Sequence, residues 1–329
     1  MKKIIYLSDI HGNYEALKHL DELPEMQDDN VEIQFGGVYI DGFDLKPNAI
    51  INTIRYIKNL CESGKAKAII GNHDEFIIDA AYNPYKITFW SNNGKANTLD
   101  NLGLSDVGEL REQLLYHYYD EMEWLRSLPL TIETGKNILV HAGVNLSQGL
   151  EKQDKDTLLW IRDLYIYPEW HQLDEVHDDY KGKTIITGHT PTINLVKGFD
   201  YCPIVRRTSY VNRYFIDGGS KGGPGFKGRI NLLKLDENGK LITHNYDGDG
   251  DGTGDGEREI RKQLPLHIVE QEHRQEDGDS GEGGSHQGCP HPAGAFQRRL
   301  GLAQIPPLMA PVDALQHHDG GIQHHADRE

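Results

Sequence analysis

Cysteine is scarce in this chain: Cys61, Cys202 and Cys289 stand far apart among 329 residues. That excludes a disulfide framework and a Cys-x-x-Cys metal site, and it fits a reducing compartment. Long apolar runs are missing too. The opening stretch from Ile4 to Leu7 is too short for a secretory signal, and no run approaches the roughly 20 residues that span a bilayer. The expectation is a cytoplasmic protein with no membrane partner. Basic residues are in deficit, with 34 Lys and Arg against 51 Asp and Glu and a formal charge of −17. A chain that gripped nucleic-acid backbone would carry a basic face, so that class is excluded as well. The deficit is uneven: residues 247–329 hold 16 acidic and 7 basic side chains, residues 1–246 hold 35 and 27. About half of the acidity therefore says nothing about a folded part.

What is present is an ordered alternation of strand and helix signals. Lys2 to Leu7 reads as a buried strand, and Tyr14 to Leu23 as a helix with Leu17, Leu20 and Leu23 on one face and Asn13 as its N-cap. Val31 to Phe35 is a second strand. Ile50, Ile51, Ile54, Ile57 and Leu60 mark an amphipathic helix ending near Gly64, and Ala66 to Ile70 is a third strand. This order is that of parallel βαβ units. Val107 to Leu128 is predicted helical, and Trp90 to Gly94 a loop. Strands are predicted at Asn137–Val140 and Thr184–Thr187. Beyond Ile204 the chain is β-rich, with Ile230–Leu235 and Leu241–Tyr246 flanking a turn that contains Asn238-Gly239.

The strand ends carry the chemistry. The first finishes in Ser8-Asp9-Ile10-His11-Gly12-Asn13, the second runs into Gly37-Val38-Tyr39-Ile40-Asp41, and the third stops at Gly71-Asn72-His73-Asp74. Later strands end in His141-Ala142-Gly143 and Gly188-His189-Thr190-Pro191. Parallel sheets collect functional groups at the carboxyl ends of their strands. A mixture of carboxylate, carboxamide oxygen and imidazole suits Mn²⁺, Fe or Zn²⁺ better than Ca²⁺. One such histidine is unremarkable; four at successive strand ends favour a metal site over ordinary loop chemistry.

Taken together and in this order, these strings resemble the calcineurin-like metallophosphoesterases, most closely the branch of bacterial serine/threonine protein phosphatases and symmetrical diadenosine tetraphosphatases. The resemblance spans about residues 2–246 and implies an α/β (α+β) fold, a two-sheet β-sandwich flanked by helices. It implies two divalent metal ions, the first held by Asp9 and His11, the second by Asn72, His141 and His189. It makes His73 the general acid, oriented by Asp41, and Arg162 in Trp160-Ile161-Arg162 a phosphate clamp. The implied substrates are a phosphorylated protein or a small phosphoester, with a dinucleoside polyphosphate as the alternative. A catalytically silent relative that binds phosphorylated ligands is a third reading.

Two departures stand in the second motif. The family pattern Gly-Asp-x-x-Asp-Arg-Gly appears here as Gly37-Val38-Tyr39-Ile40-Asp41-Gly42-Phe43. Val38 occupies the position of the carboxylate that bridges both metals, and valine cannot coordinate. Two dications about 4 Å apart repel by roughly 17 kcal/mol at an effective dielectric of 20, so losing the bridge predicts weaker metal binding and reduced turnover. Asp44 is the nearest spare carboxylate but lies past Gly42. Gly42 stands for the arginine, whose phosphate contact Arg162, Arg206 or Arg207 could supply. Asp217, in Ile216-Asp217-Gly218-Gly219, is read as structural. Residues 247–329 are expected to form an acidic, Gly-rich linker and disordered tail. Phe296 is their only aromatic residue, and the Asp247–Glu257 run fails as a calcium loop because Arg258 takes its twelfth position.

Overall fold

A computed structural model describes residues 2–83, 87–168, 175–195, 204–207, 210–224, 228–246 and 267–270. All of them belong to the unit Met1–Arg274; the remainder, Gln275–Glu329, forms a second unit outside the described residues. The strands are β1 (Lys3–Leu7), β2 (Val31–Phe35), β3 (Ala66–Ala68), β4 (Thr131–Thr134), β5 (Asn137–Val140), β6 (Thr184–Thr187), β7 (Ile204–Arg207), β8 (Asn212–Phe215), β9 (Asn231–Asp236), β10 (Leu241–Tyr246) and β11 (His267–Glu270). They form two sheets, ordered β10-β9-β1-β2-β3 and β11-β7-β8-β6-β5-β4. β1, β2 and β3 run parallel, as the alternation of elements predicted, while β9 enters antiparallel beside β1. β5, β6 and β8 are the parallel centre of the second sheet.

Side-chain alternation explains why there are three apolar layers. Along β1, Ile4 and Tyr6 join Leu233 and Leu235 of β9, Leu139 of β5, Ile186 of β6 and Tyr214 of β8 between the sheets. Their neighbours Ile5 and Leu7 point the other way, into a cluster with Ile50, Ile54 and Ile57. Ile138, Val140, Ile185 and Phe215 line the opposite face of the second sheet. Full burial of one such side chain contributes about 1.5–3 kcal/mol, and β2, β5 and β6 are buried on both faces. This is a two-sheet sandwich flanked by helices.

The helices are α1 (Tyr14–Leu17), α2 (Ala49–Glu62), α3 (Asn72–Tyr82), α4 (Lys95–Leu102), α5 (Val107–Tyr116), α6 (Tyr119–Ser127), α7 (Lys155–Trp160) and α8 (Asp163–Ile166). α2 buries Ile50, Ile51, Ile54 and Ile57 as its periodicity predicted. Three segments differ from expectation. The predicted helix over Tyr14–Leu23 is a single α-turn, capped by Asn13 accepting from Ala16 N at 3.3 Å, followed by 3₁₀ turns at Lys18–Glu22 and Pro24–Gln27. Pro24 lacks the N–H that a continuing helix needs. The helical stretch Val107–Leu128 breaks into α5 and α6 at His117 and Tyr118, and Asp106 caps α5 by accepting from Glu109 N. Trp90–Asn92 is a 3₁₀ turn with Trp90 fully buried.

The expected tail at 247–329 lies outside the described residues except for β11, which pairs parallel with β7 at the sheet edge. Every other described strand precedes residue 247. A chain ending at Tyr246 is therefore expected to stay soluble and to lose no more than about 4 °C in thermal midpoint, the equivalent of ~1 kcal/mol. Circular-dichroism melting of the truncated and full-length proteins checks this, and loss of soluble protein would show the tail to be part of the fold.

Candidate active site

The loops after β1, β2, β3, β5 and β6 meet at one edge of the sandwich. The β1 loop is hydrogen-bonded along the β2 loop, Asp9 N to Gly37 O and His11 N to Val38 O, both 3.0 Å. The chain turns here through left-handed backbone: φ is 54° at Asp9, 52° at His11, 62° at Val38, 71° at Asp41 and 66° at His189. Asp and His tolerate that region better than most residues; a β-branched side chain there is an outlier. The β6 loop approaches so closely that a Cβ on Gly188 would lie 1.9 Å from Asp9 Oδ2. Only glycine permits that approach, and it lets His189 N donate to Asp9 Oδ2 at 2.9 Å.

Three histidines are held the same way. His11 Nδ1 bonds the Ile40 carbonyl at 2.9 Å and His141 Nδ1 the Gly36 carbonyl at 2.8 Å. His189 bonds the Trp160 carbonyl, and its Nε2 is buried with no partner, so its Nδ1 makes that bond. A carbonyl only accepts, so each Nδ1 carries the proton and each neutral ring offers a lone pair at Nε2. Burial keeps the rings neutral: it pushes His11 and His189 well below the ordinary imidazole range and His141 down to about 4. Such backbone anchoring is how metal-ligating imidazoles are aimed.

His141 Nε2 faces Asn72 Oδ1, the side chain opening α3, at 2.8 Å. With a neutral ring these are two lone-pair atoms in contact. A cation held by both resolves the clash, as does the opposite amide rotamer. The rings of His141 and His189 stand 5.1 Å apart. The donor set of Asp9, His11, Asn72, His141 and His189 thus fits divalent metal, with His189 Nε2 as an orphaned ligand atom. No three His, Cys, Asp or Glu side chains already converge on one point among the described residues. Asp9 Oδ2 accepts from Ser8 Oγ at 2.7 Å as well as from His189 N. Burial raises Asp9 to about 7.

His73 sits beside this group, its ring 5.2 Å from that of His11. Its Nδ1 meets Asp41 Oδ2 at 2.7 Å. The same oxygen accepts from Trp90 Nε1 at 2.7 Å, while Thr98 Oγ1 donates to Asp41 Oδ1. Burial lifts Asp41 to about 7 and pushes His73 well below its usual value. Both shifts disfavour isolated charges, so the dyad stays net neutral by sharing a proton.

Arg162 lies between α7 and α8, exposed overall, with Nη1 donating to Thr190 Oγ1 at 2.6 Å and towards the His189 carbonyl at 3.4 Å. One edge of its guanidinium therefore lies against the β6 loop. Asp44 is exposed. The side chains of Arg206 and Arg207 lie outside the described residues. Val38 is fully buried, and its backbone N–H donates to Asp74 Oδ2 at 2.8 Å.

Several contributors were not legible as site residues. Asp74, fully buried, also accepts from Tyr39 N and Gly71 N at 2.8 Å and so ties the β2 and β3 loops together. Trp90 and Thr98 come from a stretch with no strand-end signal. Asp217 is buried near Asp9 and Arg162, where burial and the Asp9 carboxylate raise its pKa. Lys221 bonds the Asn93 carbonyl at 2.9 Å, and its charge reaches His11 and His73. Asp74 adjoins His73 in the third strand-end string and Asp217 follows a strand, so these two carry a sequence signal where Trp90, Thr98 and Lys221 carry none.

The model of the calcineurin-like phosphoesterase family matches residues 2–193, more than half of the chain. A symmetrical bis(5'-nucleosyl)-tetraphosphatase of Ralstonia nicotianae is 36% identical over 95 residues, which are 29% of this chain and 28% of that protein's length. A metallophosphoesterase structure from Sphaerobacter thermophilus aligns over 75% of this chain and 89% of its own, with 16% identity and a TM-score of 0.43. A serine/threonine phosphatase of Saccharomyces cerevisiae aligns over 75% and 79%, with 12% identity and a TM-score of 0.37. On the family match and the five strand-end loops gathered at one edge, the chain belongs to the calcineurin-like phosphoesterases, a family of metal-dependent hydrolases.

Proposed function

We propose that this protein hydrolyses phosphate monoesters, with phosphoserine and phosphothreonine of proteins as the leading substrates. The observation that carries the reading is the His73–Asp41 dyad, at 2.7 Å, beside histidines whose Nε2 atoms are free of protons. Divalent metal, Mn²⁺ in this reading with Fe or Zn²⁺ as alternatives, supplies Lewis-acid charge at the phosphoryl oxygens and lowers the pKa of water there. Asp9, His11, Asn72, His141 and His189 would hold it. Arg162, on the β6-loop side, is positioned to bind phosphoryl oxygens. Asp41 holds the Nδ1 proton of His73, which leaves the Nε2 proton to be given to the departing oxygen. The reaction is assigned to the cytoplasm on the low cysteine content; among the described residues no helix is long and apolar enough to cross a membrane.

A second reading is hydrolysis of dinucleoside polyphosphates, favoured by the 36% identity to the tetraphosphatase over 95 residues. Side-by-side assays on a phosphopeptide and on diadenosine tetraphosphate separate the two. Faster turnover of the peptide supports the leading reading, and faster turnover of the dinucleotide replaces it with the second. No turnover of either leaves the silent, ligand-binding relative.

The acid role of His73 has its own signature. His73→Asn is expected to slow hydrolysis of alkyl phosphates by roughly 10²–10⁴-fold. With p-nitrophenyl phosphate the loss should be far smaller, because p-nitrophenolate leaves without a proton. Equal losses on both substrates would refute the assignment.

Val38 is expected to limit metal binding. The backbone at position 38 keeps a φ of 62°, which Asp adopts more readily than Val, so the reversion should fit without rearrangement. Val38→Asp should tighten Mn²⁺ binding by roughly 10-fold or more and raise turnover. Metal content after equilibrium dialysis measures this. Two tightly bound ions and brisk turnover in the unmodified chain would contradict the expected defect.

A further inference from the structure

Gly42 stands at the motif position where relatives carry a phosphate-contacting arginine, and the loop is closed against any replacement. A Cβ on Gly42 would lie 2.0 Å from the His11 carbonyl oxygen and 3.0 Å from Leu45 Cδ1. The first contact is with backbone, so it cannot be relieved by a side-chain rotation. An arginine could be restored here only by separating the β1 and β2 loops, which the bonds from Asp9 N and His11 N hold together.

A cation nevertheless reaches this wall of the site from another part of the chain. Lys221 lies in the loop between β8 and β9. That loop is pinned to the second motif one residue past Gly42, where Phe43 N donates to the Lys221 carbonyl at 2.8 Å. It is pinned to the first motif as well, because Ser220 Oγ donates to the Asp9 carbonyl oxygen. From this anchored backbone the half-buried Lys221 side chain crosses to Asn93, whose carbonyl accepts from Nζ at 2.9 Å. Asn93 precedes Gly94, which packs directly on the Asp41 side chain. The ammonium charge is close enough to lower the proton affinity of both His11 and His73 and to act on Asp41. An ammonium carries three protons, and Asn93 takes one of them.

We propose that Lys221 is the substrate-binding cation that replaces the arginine excluded at Gly42, donating to a non-bridging phosphoryl oxygen on the His11–His73 side of the site. Arg162 serves the other side, along the β6 loop. The proposal rests on the phosphoesterase reading of the same site and adds a contact on the leaving-group side of the phosphorus.

The test is calorimetric binding of inorganic phosphate to the full chain loaded with Mn²⁺, in the unmodified protein, Lys221→Gln and Lys221→Arg, with thermal melting of each. Lys221→Gln is expected to weaken phosphate binding roughly 10–100-fold, the usual range for losing a charge-assisted hydrogen bond, with an unchanged melting midpoint. Lys221→Arg should recover most of the affinity. Unchanged phosphate affinity in Lys221→Gln overturns the proposal. So does a loss that comes with a lowered midpoint and is not recovered by arginine, since that would make Lys221 a structural tie to Asn93. Because binding is read without turnover, a protein that hydrolyses neither ester but still loses phosphate affinity in Lys221→Gln would refute the enzymatic reading and keep this one.

Discussion

The Asp74 carboxylate is the constraint on which the site depends. It is fully buried and accepts three backbone N–H groups, from Val38, Tyr39 and Gly71. Two of these belong to the loop after β2 and one to the loop after β3. Both loops have left their strands, so ladder hydrogen bonds no longer hold them, and a buried N–H without a partner costs about 1–3 kcal/mol. One side chain satisfies all three. Burial raises Asp74 to about 7, which means that the N–H groups are what make an ionised carboxylate tolerable there. The consequence is positional: with the loops locked, Asp41 on one and His73 on the other come to 2.7 Å.

Burial then sets the protonation states. Desolvation is the largest influence on Asp9, Asp41, His11, His73, His141 and His189 alike, favouring neutral forms throughout. For the three backbone-anchored histidines this leaves a neutral imidazole with its proton fixed at Nδ1 and a lone pair at Nε2. For Asp9 it is a cost that the hydrogen bonds from Ser8 and His189 N and the charge of Arg162 offset in part. His189 Nε2 is buried without a partner, and His141 Nε2 faces the Asn72 amide. Lys221 and Arg162 bring cationic charge from two other segments of the chain.

The two departures in the second motif differ in kind. At Val38 only the side chain has changed: the backbone keeps a left-handed turn suited to aspartate, at a strain of the order of 1–3 kcal/mol for a β-branched residue. At Gly42 the space itself is gone, taken by the His11 carbonyl. The first loss is therefore open to a single substitution, and the second needs a cation from elsewhere in the chain.

Much of this was readable from residue order. The apolar runs of β5 and β6, the alternation of β2 and the periodicity of α2 specify those elements locally, because alternation and helical spacing are short-range properties. The strand-end strings marked Asp9, His11, Asn72, His141 and His189 before any contact was known. Short-range signals failed where long-range packing decided. Trp90 lies in a stretch that reads as a loop, yet its indole donates to Asp41 across 49 positions. Tyr14–Leu23 has helical spacing but tightens into 3₁₀ turns ahead of Pro24. The sequence by itself determined the family pattern, the kinds of side chain at the strand ends and the two departures in the second motif, since these need only identity and order. Tertiary structure alone decided that Asp74 holds two loops together, that Gly42 admits no side chain and that Lys221 reaches the site. Each of those depends on atoms brought together from separate loops, and spacing along the chain carries no record of such distances.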